Sequence, residues 1–180
     1  MKKAFTLVEI VLVVIISAIL FVLLAKVYIL ASKLYVYHSN LKHIESDILF
    51  FNQTLQNLVD KSELDFSKYS GLASTDGFTG KLFLKDDTNK FVLYAQSGQV
   101  ILDKNWQKIP LTNTWFTKVD KLIFKILPYR DPYKIFTPEN RQPYVEVFLS
   151  IRNRFYVTWD WAKWIKIDLQ EWFNFKYYNN

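Results

Sequence analysis

The sequence predicts an α+β protein, with one long N-terminal helix packed on an antiparallel β-sheet. Three observations carry this expectation. Residues 10–25 are apolar without a break except at Ser17. From Val27 onward, apolar residues recur at alternating steps of three and four, through Leu30, Leu34, Tyr37, Leu41, Ile44, Ile48, Phe51, Leu55 and Leu58, which is one stripe of a helix. Beyond residue 61 the pattern changes to short alternating runs separated by turn residues, the mark of strands.

The helix comes first. Residues 5–25 number 21, and at ~1.5 Å per residue they reach ~30 Å, about one bilayer core. No glycine occurs before Gly71 and no proline before Pro110, so the helix is expected to run unbroken from Phe5 to about Val59, a length of ~80 Å. Its first half (5–25) has no polar face and suits lipid. Its second half (26–60) carries Lys33, His38, Lys42, Glu45, Asn52 and Gln56 off the stripe. The same heptads also fit a parallel coiled coil, although Tyr37 and Phe51 are wide residues for so narrow a seam. Glu9 stands out at the rim of the apolar run. A carboxylate at mid-membrane costs ~2.5–3.5 kcal/mol on insertion scales, and less near the interface, so it calls for a positive partner that the following run does not supply.

Residues 61–80 are rich in Ser, Asp and Gly and read as a loop. Strands are expected at 81–85 and 90–95, joined by the turn Asp86-Asp87-Thr88-Asn89, and then at 99–103. Residues 105–113, with Pro110, read as a loop. Further strands are expected at 121–127, 144–152 and 154–159, with an irregular insertion over 128–143 that holds four prolines. Tight connections between neighbours imply antiparallel pairing, with one face for the helix and one for water.

Composition narrows the chemistry. The chain has 180 residues and no cysteine, which excludes disulfides and thiolate metal sites. The net charge is +6 with the lysines spread along the chain, a modest excess that suits a solvated face or an acidic partner. No phosphate-cradling glycine loop, Ser/His/Asp arrangement or carboxylate pair stands out, so the sequence gives no case for an enzyme or a cofactor. His38 and His43 are five apart and do not share a helix face as a metal pair would; both are expected to be solvated. Asp86 and Asp87 could touch a calcium ion, but the turn lacks the Gly and distal bidentate Glu of a calcium loop, and no metal is assigned.

The N-terminus carries a specific resemblance. Lys2-Lys3-Ala4-Phe5-Thr6-Leu7-Val8-Glu9, followed by the apolar run, resembles the processing signal of type IV prepilins and type II secretion pseudopilins. The resemblance implies a leader (1–4) cut by a prepilin peptidase between Ala4 and Phe5, N-methylation of Phe5, and Glu9 as the fifth mature residue. The family usually carries Gly where Ala4 stands; Ala is the nearest in size. It also implies a pilin-like fold, an extracytoplasmic β-rich domain (61–180), and polymerisation in which Glu9 of one subunit pairs with the amino terminus of Phe5 in its neighbour. The partners implied are the peptidase, other pilin or pseudopilin subunits and the membrane. The strand spacing also resembles, more loosely, the larger J-type minor subunits, and length and tail favour a minor subunit over a major one. Lys2 and Lys3 hold the N-terminus on the cytoplasmic side of a single-pass protein in the cytoplasmic membrane, and assembly would place it in a surface or periplasmic filament. Two other readings compete for the same stretch. A secretory signal peptide needs a small-residue cleavage site after the apolar core, and here Ser17-Ala18 lies within it. A membrane-anchored binding module that never polymerises fits the lysines and the length.

The last stretch, 159–180, interleaves Trp159, Trp161, Trp164, Trp172, Phe173, Phe175, Tyr177 and Tyr178 with Lys163, Lys166 and Lys176. It reads either as core filling or as an exposed aromatic and basic surface for a glycan, a partner subunit or single-stranded DNA. Trp172, Phe175, Tyr177 and Tyr178 are the candidate ligand-facing residues.

Overall fold

The structure, a computed structural model, describes residues 6–69, 77–127, 143–154 and 165–175. The chain forms two compact units, Met1–Ser39 and Asn40–Asn180. One helix, α1 (Leu7–Lys61), runs through both, and the fold is α+β as the sequence predicts.

In the first unit the described residues of α1 are almost all exposed. Every described side chain from Thr6 to His38 is exposed except Ala25, which is half-buried. In the second unit the stripe becomes a core face, with Ile44, Phe51, Leu55 and Val59 fully buried and Ile48 and Leu58 packed at its margin. Each fully buried chain is worth roughly 1.5–3 kcal/mol, which fixes this half of the helix onto its own sheets; among the described residues no side chain of α1 before Ile44 is buried. Over 44–59 the stripe therefore serves the protein's own core and not a coiled-coil partner.

Among the described residues nine strands follow: β1 (Glu63–Leu64), β2 (Phe78–Thr79), β3 (Lys81–Lys85), β4 (Lys90–Gln96), β5 (Gln99–Lys104), β6 (Gln107–Pro110), β7 (Thr117–Leu127), β8 (Tyr144–Asn153) and β9 (Lys166–Asn174). They form two antiparallel sheets where the sequence suggests one, ordered β1-β3-β4-β5-β6 and β2-β7-β8-β9. Residues 61–80, read as a loop, include β1, a 3₁₀ turn Phe66–Lys68 and β2. The expected loop 105–113 contains β6. The expected strand 154–159 lies outside the described residues from 155 on.

The inner faces of both sheets close with α1 on a single cluster that includes Leu82, Leu84, Leu93, Val100, Leu122, Phe124, Val145, Val147, Leu149 and Ile151. Period-2 alternation builds most of it. One exception is informative. Val119 and Leu122 are both buried although they are three apart, an odd spacing that would put them on opposite faces. The β7–β8 register shifts between Val119 and Lys121, and the extra residue of this bulge restores Leu122 to the inner face. Polar links tie α1 to the sheets. The Asp47 carboxylate accepts the Asn113 N–H at 3.0 Å and the Thr117 hydroxyl, and the Asn52 amide donates to Glu171 at 2.8 Å.

Candidate functional site

The first candidate site is the start of α1. Ala4 and Phe5, the expected processing and methylation positions, lie outside the described residues. Thr6 and Glu9 are described, and they form a closed unit. The Thr6 N–H and the Thr6 hydroxyl both donate to Glu9 Oε2 at 2.9 Å, and the Glu9 N–H reaches Thr6 Oγ1 at 3.4 Å. This is a capping box: the first turn of a helix has orphan N–H groups, and a Thr before the helix and a Glu three residues later satisfy two of them reciprocally. The Glu9 carboxylate also sits at the positive end of the helix dipole. The sequence reading looks for a cation as its partner and misses the Thr-x-x-Glu signature that names a local one. Both donors go to Oε2, and Oε1 accepts no hydrogen bond from the described residues, so the cap leaves one oxygen able to accept a further donor.

The second candidate is the aromatic tail, and the structure divides it by strand alternation. In β9, Lys166, Asp168, Gln170, Trp172 and Asn174 share the outward face, and Ile167, Leu169, Glu171 and Phe173 the inward one. Trp172 is exposed and its ring leans on Tyr144, with centroids 5.4 Å apart. Phe175 is a correction to the expected ligand surface: it is fully buried, and its N–H donates to the Pro143 carbonyl at 3.2 Å. It has the parity of Phe173 and fills the core with it. Tyr177 and Tyr178 lie outside the described residues.

His38 is exposed and meets Tyr37 edge-on. His43, expected in solvent, is half-buried and stacks flat on Phe116, with centroids 3.9 Å apart and planes 5° from parallel. In the Asp86 turn, Oδ1 accepts the N–H groups of Thr88 and Asn89 and both side chains. The Asn89 side chain above all, with the Thr88 and Asn89 N–H groups, holds this carboxyl below the usual carboxylate range. Its acceptor capacity is thus used to close the β3–β4 hairpin. Among the described residues no group of three or more His, Asp or Glu side chains could hold a metal ion.

A third feature is absent from the sequence reading. The β5–β6 hairpin turns on Asn105 and Trp106, with φ of +50° and +75°. A two-residue hairpin with both central φ positive is the kind that favours Asn-Gly. The β4–β5 hairpin obeys that preference, with Ser97 at +54° and Gly98 at +78°. The β5–β6 hairpin places a Trp where Gly is favoured, at a strain of about 1–3 kcal/mol, and leaves it 95% exposed.

Comparison with protein-family models, with curated proteins and with solved structures finds no match to this chain.

Proposed function

We propose that the protein is a structural subunit, of the minor kind, of a type IV pilus or type II secretion pseudopilus. It is processed between Ala4 and Phe5 and polymerises through α1; it is not an enzyme. The observation that carries this reading is an apolar surface longer than a bilayer needs. From Leu7 to Tyr37 the helix would rise ~45 Å, against a hydrocarbon core of ~30 Å. Beyond the first 20 or so residues, Val27, Tyr28, Leu30, Leu34, Tyr35 and Tyr37 are still between 50% and 77% exposed. A plain anchor has no use for large apolar side chains past the membrane, whereas a bundle of like helices buries them.

The charges suit the same process. The methylated amino terminus of Phe5 and the Glu9 carboxylate are each costly alone in an apolar environment and far less so when paired. Pairing Glu9 Oε1 with the amino terminus of a neighbour gives register as well as attraction. Intact mass and N-terminal sequencing of the protein from its native membrane test the processing step. A chain starting at N-methylated Phe5 is the expected result, and a chain retaining Met1–Ala4 would refute it. The second reading, a membrane-anchored binding module, draws on the exposed Trp172 and predicts an unprocessed chain indifferent to loss of Glu9.

A further inference from the structure

We propose that the outward face of the β1-β3-β4-β5-β6 sheet, with Trp106 at its lip, binds an acidic polysaccharide of the polyuronate type. The inference does not depend on whether α1 polymerises. Trp106 adopts a backbone conformation that favours Gly, and its ring makes no aromatic contact among the described residues. An unfavourable backbone therefore holds a flat apolar ring in solvent, an arrangement that gains only from something outside the chain.

Beside it runs an open groove of about 860 Å³. Alternation turns Val92, Tyr94 and Asp103 to the outward face and into this groove; Phe83, which packs against the core margin and meets Tyr69 edge-on, also lines it. Register sets Lys81 opposite Tyr94 and Asp103 opposite Lys108, and the Lys81 ammonium lies 5.5 Å from the Tyr94 ring centre. Lys68, Lys81, Lys90 and Lys108 border the groove against Asp65 and Asp103. The excess of cations selects an anionic occupant.

Asp103 selects among anions. Its carboxylate lies on the outward face and makes no hydrogen bond or ion pair among the described residues. A sugar chain brings hydroxyl donors to such an acceptor. A phosphodiester chain brings further negative charge and few donors. The C–H face of a sugar ring lies flat on an indole, and uronate carboxylates reach the lysines. The aromatic platform, the Asp103 carboxylate and the flanking ammonium groups together fit an acidic sugar polymer better than a nucleic acid.

The test titrates the full-length protein in detergent micelles, by calorimetry, with oligogalacturonate, a neutral β-glucan of equal length and oligo-dT. The expected result is binding of the uronate that weakens as salt rises, with neither glucan nor oligo-dT matching it. Trp106→Gly, which keeps the turn, should weaken binding at least about tenfold, the loss expected when an aromatic anchor is truncated. Trp115→Ala, at another exposed indole, should leave it unchanged. Circular dichroism confirms that each variant is folded. Equal binding by Trp106→Gly and the unmodified chain would overturn the proposal. So would tighter binding of oligo-dT, which would mark a nucleic-acid surface, or binding of all three polymers alike.

Discussion

The cap that Glu9 forms with Thr6 and the charge pairing proposed for it are separable, and three substitutions distinguish them. Glu9→Gln keeps the capping box, since an amide oxygen accepts from the Thr6 N–H as a carboxylate does, and removes the charge. Thr6→Ala removes the cap and keeps the charge. Glu9→Leu removes both. Loss of the cap costs ~0.5–2 kcal/mol and is confined to the first turn, whereas α1 first enters the core at Ile44. None of the three should therefore unfold the Asn40–Asn180 unit. Leaving a partner charge buried and unpaired costs ~3–5 kcal/mol, a factor of roughly 150 to 5,000 per contact. Sheared filaments, quantified per cell against the processed protein in the membrane, should be nearly normal for Thr6→Ala and absent for Glu9→Gln and Glu9→Leu. If Glu9→Gln assembles like the unmodified chain while Thr6→Ala does not, the carboxylate acts as a helix cap and the charge-pairing argument fails.

Two further predictions concern the sheets. The Asp86 carboxyl is held below the usual range, so it contributes stability that is present above its unfolded-state pKa and lost as pH falls through its folded-state value. Asp86→Asn should cost roughly 0.5–1 kcal/mol at pH 7, discounted because the site is partly open to solvent, and less at pH 3; urea titrations that give one difference at both pH values would count against this. Trp106→Gly relieves about 1–3 kcal/mol of backbone strain and adds ~0.5–1 kcal/mol of unfolded-state entropy. It should therefore stabilise the fold by roughly 1 kcal/mol in the same titration, and a clear loss of stability would show that the ring is held by contacts within the protein.

Much of this architecture is legible in the chain. The steps of three and four through Ile44, Phe51 and Leu55 mark the core face of α1, because a 3.6-residue period admits no other buried stripe. The β3–β4 hairpin follows from Asp86-Asp87-Thr88-Asn89, in which the Asp86, Thr88 and Asn89 side chains make the turn's own hydrogen bonds. β6 is hidden by Pro110, which reads as a breaker. Pro110 pairs with Ile101 on a strand at the edge of its sheet, where a missing N–H costs no ladder bond. β1 and β2 have two residues each, too few for alternation to show. The division into two sheets depends on pairings between residues far apart in the chain, which no local pattern records.

At the candidate sites the sequence is legible in part. Strict alternation from Lys166 to Phe175 separates the exposed Trp172 from the buried Phe173 and Phe175, yet the density of aromatic residues draws the eye to composition and away from parity. The Thr6-x-x-Glu9 box was readable from spacing alone. Trp106 was not, since Asn-Trp gives no turn signal and its position emerges only from the β5–β6 register.

On the proposed reading, the exposed length of α1 packs against other helix-bearing subunits. The most direct test places a photo-activated cross-linking residue at Leu34, which lies past bilayer reach and is 53% exposed, in protein expressed at its native level and irradiated in cells. Adducts are expected to further subunits that also carry an apolar N-terminal helix, in a ladder extending beyond a pair and lost with Glu9→Gln. Irradiation that leaves only monomer, or links Leu34 to lipid alone, would contradict it.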